Sequence, residues 1–170
     1  SVISPEGAAA IEGRLRGAEF GIQKFADFLP GAWSGLGAQF NATYIDGDNQ
    51  SRTAFDSDQF TTTALTGVSR QSYNFALLYE GSGFTGRLAA TRRGDYVEQI
   101  AEAPFGQDRV VKAATFVDLS IGYEINDNVS LQFDAINLTR TKYESSLGQY
   151  QPRDIRYNPT TYGVSLRFRM

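Results

Sequence analysis

The chain has 170 residues, with 16 Lys and Arg against 19 Asp and Glu for a formal charge of -3, and neither histidine nor cysteine. The two absences exclude disulfides, the usual zinc ligand sets and the histidine base of common serine and cysteine hydrolases. No basic stripe of the kind a nucleic-acid binder carries is present. Aromatic residues make up 13% of the chain, as 12 Phe, 9 Tyr and one Trp. The longest apolar run, near Phe75 to Tyr79, is far short of the ~20 residues a membrane-spanning helix needs. The mean hydropathy of -0.33 does not speak against a membrane strand protein, because only alternate residues of such strands meet lipid.

Residues 1–9 read as the tail of a loop, and Ser1 in place of an initiator Met reads as a processed or truncated amino end. Between about Ile11 and Phe28, Ala18, Phe20 and Ile22 alternate with Glu19, Gly21 and Gln23, which predicts a strand. Leu29-Pro30-Gly31-Ala32 is a turn signal. The second strand sets Leu36, Ala38, Phe40, Ala42 and Tyr44 against Gly37, Gln39, Asn41 and Thr43. It is expected to end at Asp46-Gly47-Asp48-Asn49, the start of a polar loop reaching about Gly67.

The third strand places Tyr73, Phe75, Leu77 and Tyr79 on one face, and Glu80-Gly81-Ser82-Gly83 reads as a short hairpin connection. The fourth places Phe84, Gly86, Leu88 and Ala90 on that face. A long loop is expected from about Val97 to Lys112. The fifth strand sets Val117, Leu119, Ile121 and Tyr123 against Asp118, Ser120, Gly122 and Glu124, and closes at the tight Asn126-Asp127-Asn128 turn. The sixth sets Val129, Leu131, Phe133 and Ala135 against Ser130, Gln132 and Asp134. A third long loop spans roughly Glu144 to Pro159. The last strand puts Tyr162, Val164, Leu166, Phe168 and Met170 on one face and Thr161, Gly163, Ser165, Arg167 and Arg169 on the other.

Connections alternate between short (near 30, 81 and 127) and long (near 57, 105 and 151), and the strands have the ~9–13 residues of tilted membrane strands. The pattern predicts an all-β, antiparallel up-and-down wall of about seven strands whose apolar face meets lipid. Aromatic residues sort to strand ends. Tyr79, Phe84, Tyr123 and Phe168 are expected near the turn side, and Tyr44, Tyr73, Tyr96 and Tyr162 near the loop side, as two membrane-interface belts. On the polar face, antiparallel pairing of the fourth and fifth strands is expected to bring Arg93 near Asp118 and Arg87 near Glu124.

Seven strands do not close a bacterial barrel, which uses an even number, so the chain reads as the carboxy-terminal part of a larger one. Thr161, Gly163, Leu166 and Phe168 resemble the carboxy-terminal assembly signal of bacterial outer-membrane proteins, departing from it in the final Met170. Glu19 to Tyr44, with its Leu29-Pro30-Gly31 turn, and Asp134-Ala-Ile-Asn137-Leu-Thr-Arg-Thr-Lys142-Tyr143 resemble late-barrel segments of TonB-dependent outer-membrane receptors. Thr139 and Arg140 stand where a Phe-Asp pair is commoner. The resemblance covers nearly all of residues 1–170. It implies a barrel of ~22 strands, with an amino-terminal plug and earlier strands outside this sequence, in the bacterial outer membrane. It further implies outer-membrane lipid, the barrel-assembly machinery, the TonB complex (through the missing amino-terminal part) and a small nutrient ligand as partners, with no nucleic acid, no enzyme activity and no cofactor.

Other motifs are weaker. Asp46-Gly47-Asp48-Asn49 lacks the Glu that a calcium loop carries at its twelfth position, where Ser57 stands. Gly81-Ser82-Gly83 has no following helix to make a phosphate loop. Ligand contacts are expected at the loop side, from Tyr96, Gln99, Tyr143, Tyr150, Gln151 and Arg153, because Tyr rings stack on sugars or aromatic chelators and Arg pairs with anions. The function implied is receptor-mediated import of a scarce nutrient, whether an iron chelate, cobalamin or an oligosaccharide. The rivals are a small standalone barrel acting as a pore or adhesion surface, and a soluble β-sandwich binding module.

Overall fold

A computed structural model describes residues 10–52, 60–102, 106–148 and 151–169. Its main sheet contains β1 (Ala10–Phe25), β2 (Leu36–Arg52), β4 (Gln71–Gly81), β5 (Phe84–Arg93), β8 (Ala114–Asn126), β9 (Val129–Ile136) and β12 (Thr161–Phe168), hydrogen-bonded in that order. Every neighbouring pair is antiparallel. The seven predicted wall strands are therefore present as one meander. Strand β3 (Phe60–Ala64) pairs with the far end of β2. The remaining strands, β6 (Tyr96–Glu102), β7 (Gln107–Val111), β10 (Tyr143–Leu147) and β11 (Gln151–Arg156), form a second sheet in the order β11-β10-β7-β6.

Residues directly opposite in an antiparallel pair share a face, so the registers decide which side chains lie together. Ile22 faces Phe40, Phe40 faces Phe75, and Phe75 faces Ala90. Leu88 faces Leu119, Ile121 faces Phe133, and Phe133 faces Val164. One apolar face runs from β1 to β12, with the cations Lys24 and Arg92 near its rims. The opposite face carries Gln39, Asn41, Asn74, Asp118, Ser120, Gln132, Asp134 and Ser165.

Burial is inverted relative to a soluble sheet. Leu77 is 47% exposed, Leu166 52% and Val164 72%, whereas Ala76, on the polar face of the same strand as Leu77, is fully buried. The apolar side chains do not converge on a dry interior. Rings meet across strands on the apolar face, as Phe84 and Tyr123 do with centroids 4.4 Å apart and Phe133 and Tyr162 at 6.3 Å. On β4 and β5 the polar face is the more crowded one, with Ala76 and Ala89 buried, whereas β12 is exposed on both faces.

The short connections lie together at one rim. Ser82 and Gly83 both have positive φ, 52° and 77°, so the β4–β5 hairpin is a two-residue turn of the kind that follows strand twist. Asn126 Oδ1 accepts from the Asn128 amide at 3.0 Å in the β8–β9 turn. The Leu29–Ala32 signal produces a longer turn than its residues suggest, with a 3-10 helix at Gly31–Gly35. A Cβ on Gly35 would collide with the Glu80 carbonyl, so this turn needs glycine to seat beside the next one.

Three features differ from those expected. Asp46 does not open a loop: β2 continues to Arg52 because β1 and β3 flank its polar end. The loops expected near 105 and 151 instead contain β6, β7, β10 and β11. The pairs Arg93–Asp118 and Arg87–Glu124 do not form either. Arg93 lies opposite Ala114 and Arg87 opposite Ser120, and Asp118 faces Ala89. The register is offset by four residues from the expected one. An even offset preserves faces while changing every partner, and the long connection between β5 and β8 sets no register of its own.

Of the aromatics expected at the membrane interfaces, Tyr79, Phe84 and Tyr123 lie on the apolar face near the turn rim, and Tyr44, Tyr73 and Tyr162 on the same face toward the long connections. Tyr96 is not among them, since it opens β6 in the second sheet. Thr161, Gly163, Leu166 and Phe168 lie on β12, whose only strand partner among the described residues is β9; Met170 is outside the described residues.

Candidate functional site

The outer sheet is built from two hairpins of separate origin. Strands β6 and β7 come from the connection between β5 and β8, and β10 and β11 from that between β9 and β12. They join along a seam in which Ser145, Ser146 and Leu147 face Val111, Val110 and Arg109. Backbone bonds bracket the seam, from the Lys112 amide to the Glu144 carbonyl at 2.9 Å and from the Gly148 amide to the Asp108 carbonyl at 2.8 Å. Val111, Ser145, Ser146 and Leu147 are buried there.

This sheet is tied to the wall through Asn137. Its φ of 58° is a left-handed conformation that few residues other than Gly, Asn and Asp adopt. The Asn137 amide donates to Asp118 Oδ1 at 2.8 Å, and Nδ2 donates to the carbonyls of Asn158 (2.9 Å) and Thr141 (3.2 Å). Oδ1 accepts from the Thr141 amide at 2.9 Å, and the carbonyl accepts from Thr160 Oγ1 at 2.9 Å. Asn137 is 4% exposed with its polar atoms satisfied. It joins β8, the exit of β9 and the approach to β12. The third outer connection is fixed too: the Gly67 amide donates to the Val97 carbonyl at 2.8 Å, and Arg93 Nη2 donates to the Gly67 carbonyl at 2.6 Å.

The registers place most of the predicted contact residues on one face of the outer sheet. Tyr96 faces Val111, which faces Ser145, which faces Asp154. Gln99 and Leu147 both face Arg109, Gln151 faces Leu147, and Tyr143 faces Arg156. Tyr96, Gln99, Tyr143 and Gln151 therefore share a face with Arg109, Asp154 and Arg156. Arg153 is the extra residue at the β10–β11 register shift, outside this pairing. Tyr150 lies outside the described residues. The other face carries Val97 and Val110, which line a cavity of about 270 Å³ with Ile45, Leu65 and Val68.

At the centre of the shared face stands Glu98, the extra residue where β6 shifts register against β7. Glu98 Oε2 accepts from the Tyr143 hydroxyl at 2.8 Å and from Arg109 Nη1 at 3.3 Å. Arg109 Nη1 is also 3.8 Å from Asp154 Oδ2. Partial burial, reinforced by the hydrogen bond to Glu98, holds the Tyr143 hydroxyl above the ordinary phenol range. Two rings are capped by cations: Arg93 Cζ lies 3.8 Å from the Tyr96 ring centre and Arg156 Cζ 4.9 Å from that of Tyr143. Arg93 belongs by register to the polar face of the wall, opposite Ser72 and Ala114. The polar wall face is thus continuous with the face carrying Tyr96.

Glu98, Arg109, Asp154 and Arg156 are not among the residues the sequence singles out, and Arg93 is expected beside Asp118 rather than over the Tyr96 ring. The register shifts at Val97/Gln99 and Gln99/Glu102 interrupt the two-residue period that would have marked β6 as a strand. Among the described residues there is no cluster of side chains suited to a metal. A family model described as TonB dependent receptor-like, beta-barrel matches residues 9–138. No curated protein and no solved structure matches the chain.

Proposed function

The chain belongs to the TonB-dependent receptor β-barrel family, and on that premise we propose that its wall and outer sheet serve the selective import of a scarce nutrient through TonB-coupled transport. Membership places it in the bacterial outer membrane and associates it with nutrient uptake, in a family of transporters rather than enzymes. In this reading the apolar face contacts membrane lipid, and the chain is the carboxy-terminal portion of a larger plugged barrel. The nutrient is first bound through Tyr96, Gln99, Tyr143, Tyr150, Gln151 and Arg153. An iron chelate, cobalamin or an oligosaccharide fits the family's range, and the energy comes from the TonB complex engaging a plug. Thr161, Gly163, Leu166 and Phe168 act as the signal to the assembly machinery.

The observation that carries this reading is the apolar face running from Phe20 to Phe168, which leaves large apolar side chains exposed on every wall strand. A soluble sandwich would bury that face. Strand β12 does not pair with β1, so the described strands do not close a small pore on their own.

Deleting the gene and restoring the intact receptor, under iron, cobalamin and carbohydrate limitation in turn, tests the proposal. Uptake of one of the three should depend on both the receptor and TonB. Uptake of all three unchanged by the deletion would overturn it.

A further inference from the structure

We propose that the face of the outer sheet carrying Tyr96 and Tyr143 is a binding site for an oxyanionic nutrient, one bearing carboxylate or phosphate groups, gripped by Arg93 and Arg156. This rests on the import reading above and narrows its ligand class.

Three observations support it. First, the cation at the centre of the face is already engaged. Glu98 and Asp154 both lie within 4 Å of Arg109, whose side chain is 18% exposed. These groups hold the two hairpins together with one carboxylate in excess, so the positive charge offered to a ligand on this face comes from Arg93 and Arg156. Second, Arg93 and Arg156 are exposed, and among the described residues neither has a carboxylate within ion-pair distance. Each instead has its guanidinium over a tyrosine ring. A guanidinium over a ring spends no N–H group on that contact, and its remaining donors can receive a carboxylate or phosphate through paired hydrogen bonds. Third, the scaffold holds both cations in place. Arg93 is fixed by its 2.6 Å bond to the Gly67 carbonyl, and the Tyr143 ring under Arg156 by its 2.8 Å bond to Glu98.

Tyr96 is in line with Ser145, and Tyr143 stands two residues away on β10, two strands from β6, a separation of roughly 12 Å at ordinary strand spacing and rise. One ligand carrying more than one acid group can therefore reach both cations. The capped rings have a second consequence. Each presents at most one free face, so stacking of a neutral sugar on them is restricted and the guanidinium groups dominate recognition.

The test uses the intact receptor purified in detergent, with citrate, glucose 6-phosphate and neutral maltotriose as probes in isothermal titration at low and high salt. Citrate or glucose 6-phosphate should bind, more weakly as salt rises, with maltotriose bound more weakly than either. Binding of citrate alone assigns the carboxylate source, and of glucose 6-phosphate alone the phosphate. Arg93→Gln and Arg156→Gln should each weaken that binding about tenfold or more, and Arg156→Lys should recover only part of it. A folded-band shift on unheated gels identifies any variant that fails to fold, and Ser130→Ala, at the turn rim opposite Glu124 and Arg167, provides a folded control with near-normal binding. If neither oxyanion binds the folded receptor, or both Gln variants bind as well as the parent, the proposal fails. TonB-dependent uptake persisting in that case would leave the import reading standing without it.

Discussion

The backbone amide of Asn137 donates to the carboxylate of Asp118 at 2.8 Å, linking the exit of β9 to the middle of β8 where no strand ladder joins them. The same residue's Nδ2 reaches Asn158 on the way into β12. One side chain in a left-handed conformation thus fixes how two wall strands and an outer connection leave the wall. Asn137→Ala removes its amide bonds and keeps the backbone strain, a loss of about 2–4 kcal/mol. Asn137→Gly relieves the strain and should cost less than Ala. The temperature at which the folded band disappears on a gel measures both, and equal stability of Ala with the parent would contradict the assignment.

The register of β5 against β8 can be tested by charge. Arg87 lies opposite Ser120 and shares a surface with Asp118 and Asp134. Arg87→Glu adds a third carboxylate there and should destabilise by about 1 kcal/mol. Glu124→Arg should stay within about 0.5 kcal/mol, because Glu124 faces Ser130 and not Arg87. Reversal of that ranking would favour the register offset by four.

Two glycines should respond differently to the same change. A Cβ at Gly35 meets the Glu80 carbonyl, whereas one at Gly163 meets nothing within 4 Å. Gly35→Ala should cost about 1–3 kcal/mol through overpacking, and Gly163→Ala should leave the folded receptor as stable as the parent. Urea unfolding of each variant decides it.

Tyr143 and Glu98 lie on different outer hairpins and share a 2.8 Å hydrogen bond. The Tyr143 hydroxyl titrates above the ordinary phenol value because it is partly buried and donates to Glu98. Its stabilising contribution is complete below the unfolded phenol's value of about 10 and is lost as pH rises through the higher folded value. The phenolate absorbance lost in Tyr143→Phe should therefore develop later than that of free tyrosine. Tyr143→Phe and Glu98→Gln should also be non-additive in stability. Additive effects and an ordinary titration would deny the bond.

Faces were readable from the sequence because a two-residue period survives in Phe20, Phe40, Leu77, Leu119 and Leu166 whatever their partners. Partners were not readable. Arg93 and Asp118 have the charges to pair, yet nothing local fixes the offset of β8 after the long connection that carries β6 and β7. The outer sheet was the least visible part. Its β7–β10 seam joins segments more than 30 residues apart, and Ser145 and Ser146 carry no strand signature. Tyr96, Gln99, Tyr143 and Gln151 stand out by residue type alone, and the registers bring them to one face. Glu98 was missed because a bulge residue breaks the alternation that would have drawn attention to it.

The account depends most on which face of the wall meets lipid. Nitroxide labels placed singly at Leu77 and Leu166 on one face, and at Gln39 and Gln132 on the other, would report it in the intact receptor reconstituted into bilayers. Labels at 77 and 166 should be relaxed by oxygen dissolved in the bilayer and shielded from a water-soluble nickel chelate, with 39 and 132 shielded from oxygen. Labels at 77 and 166 shielded from both agents, as in a shared protein core, would contradict the account.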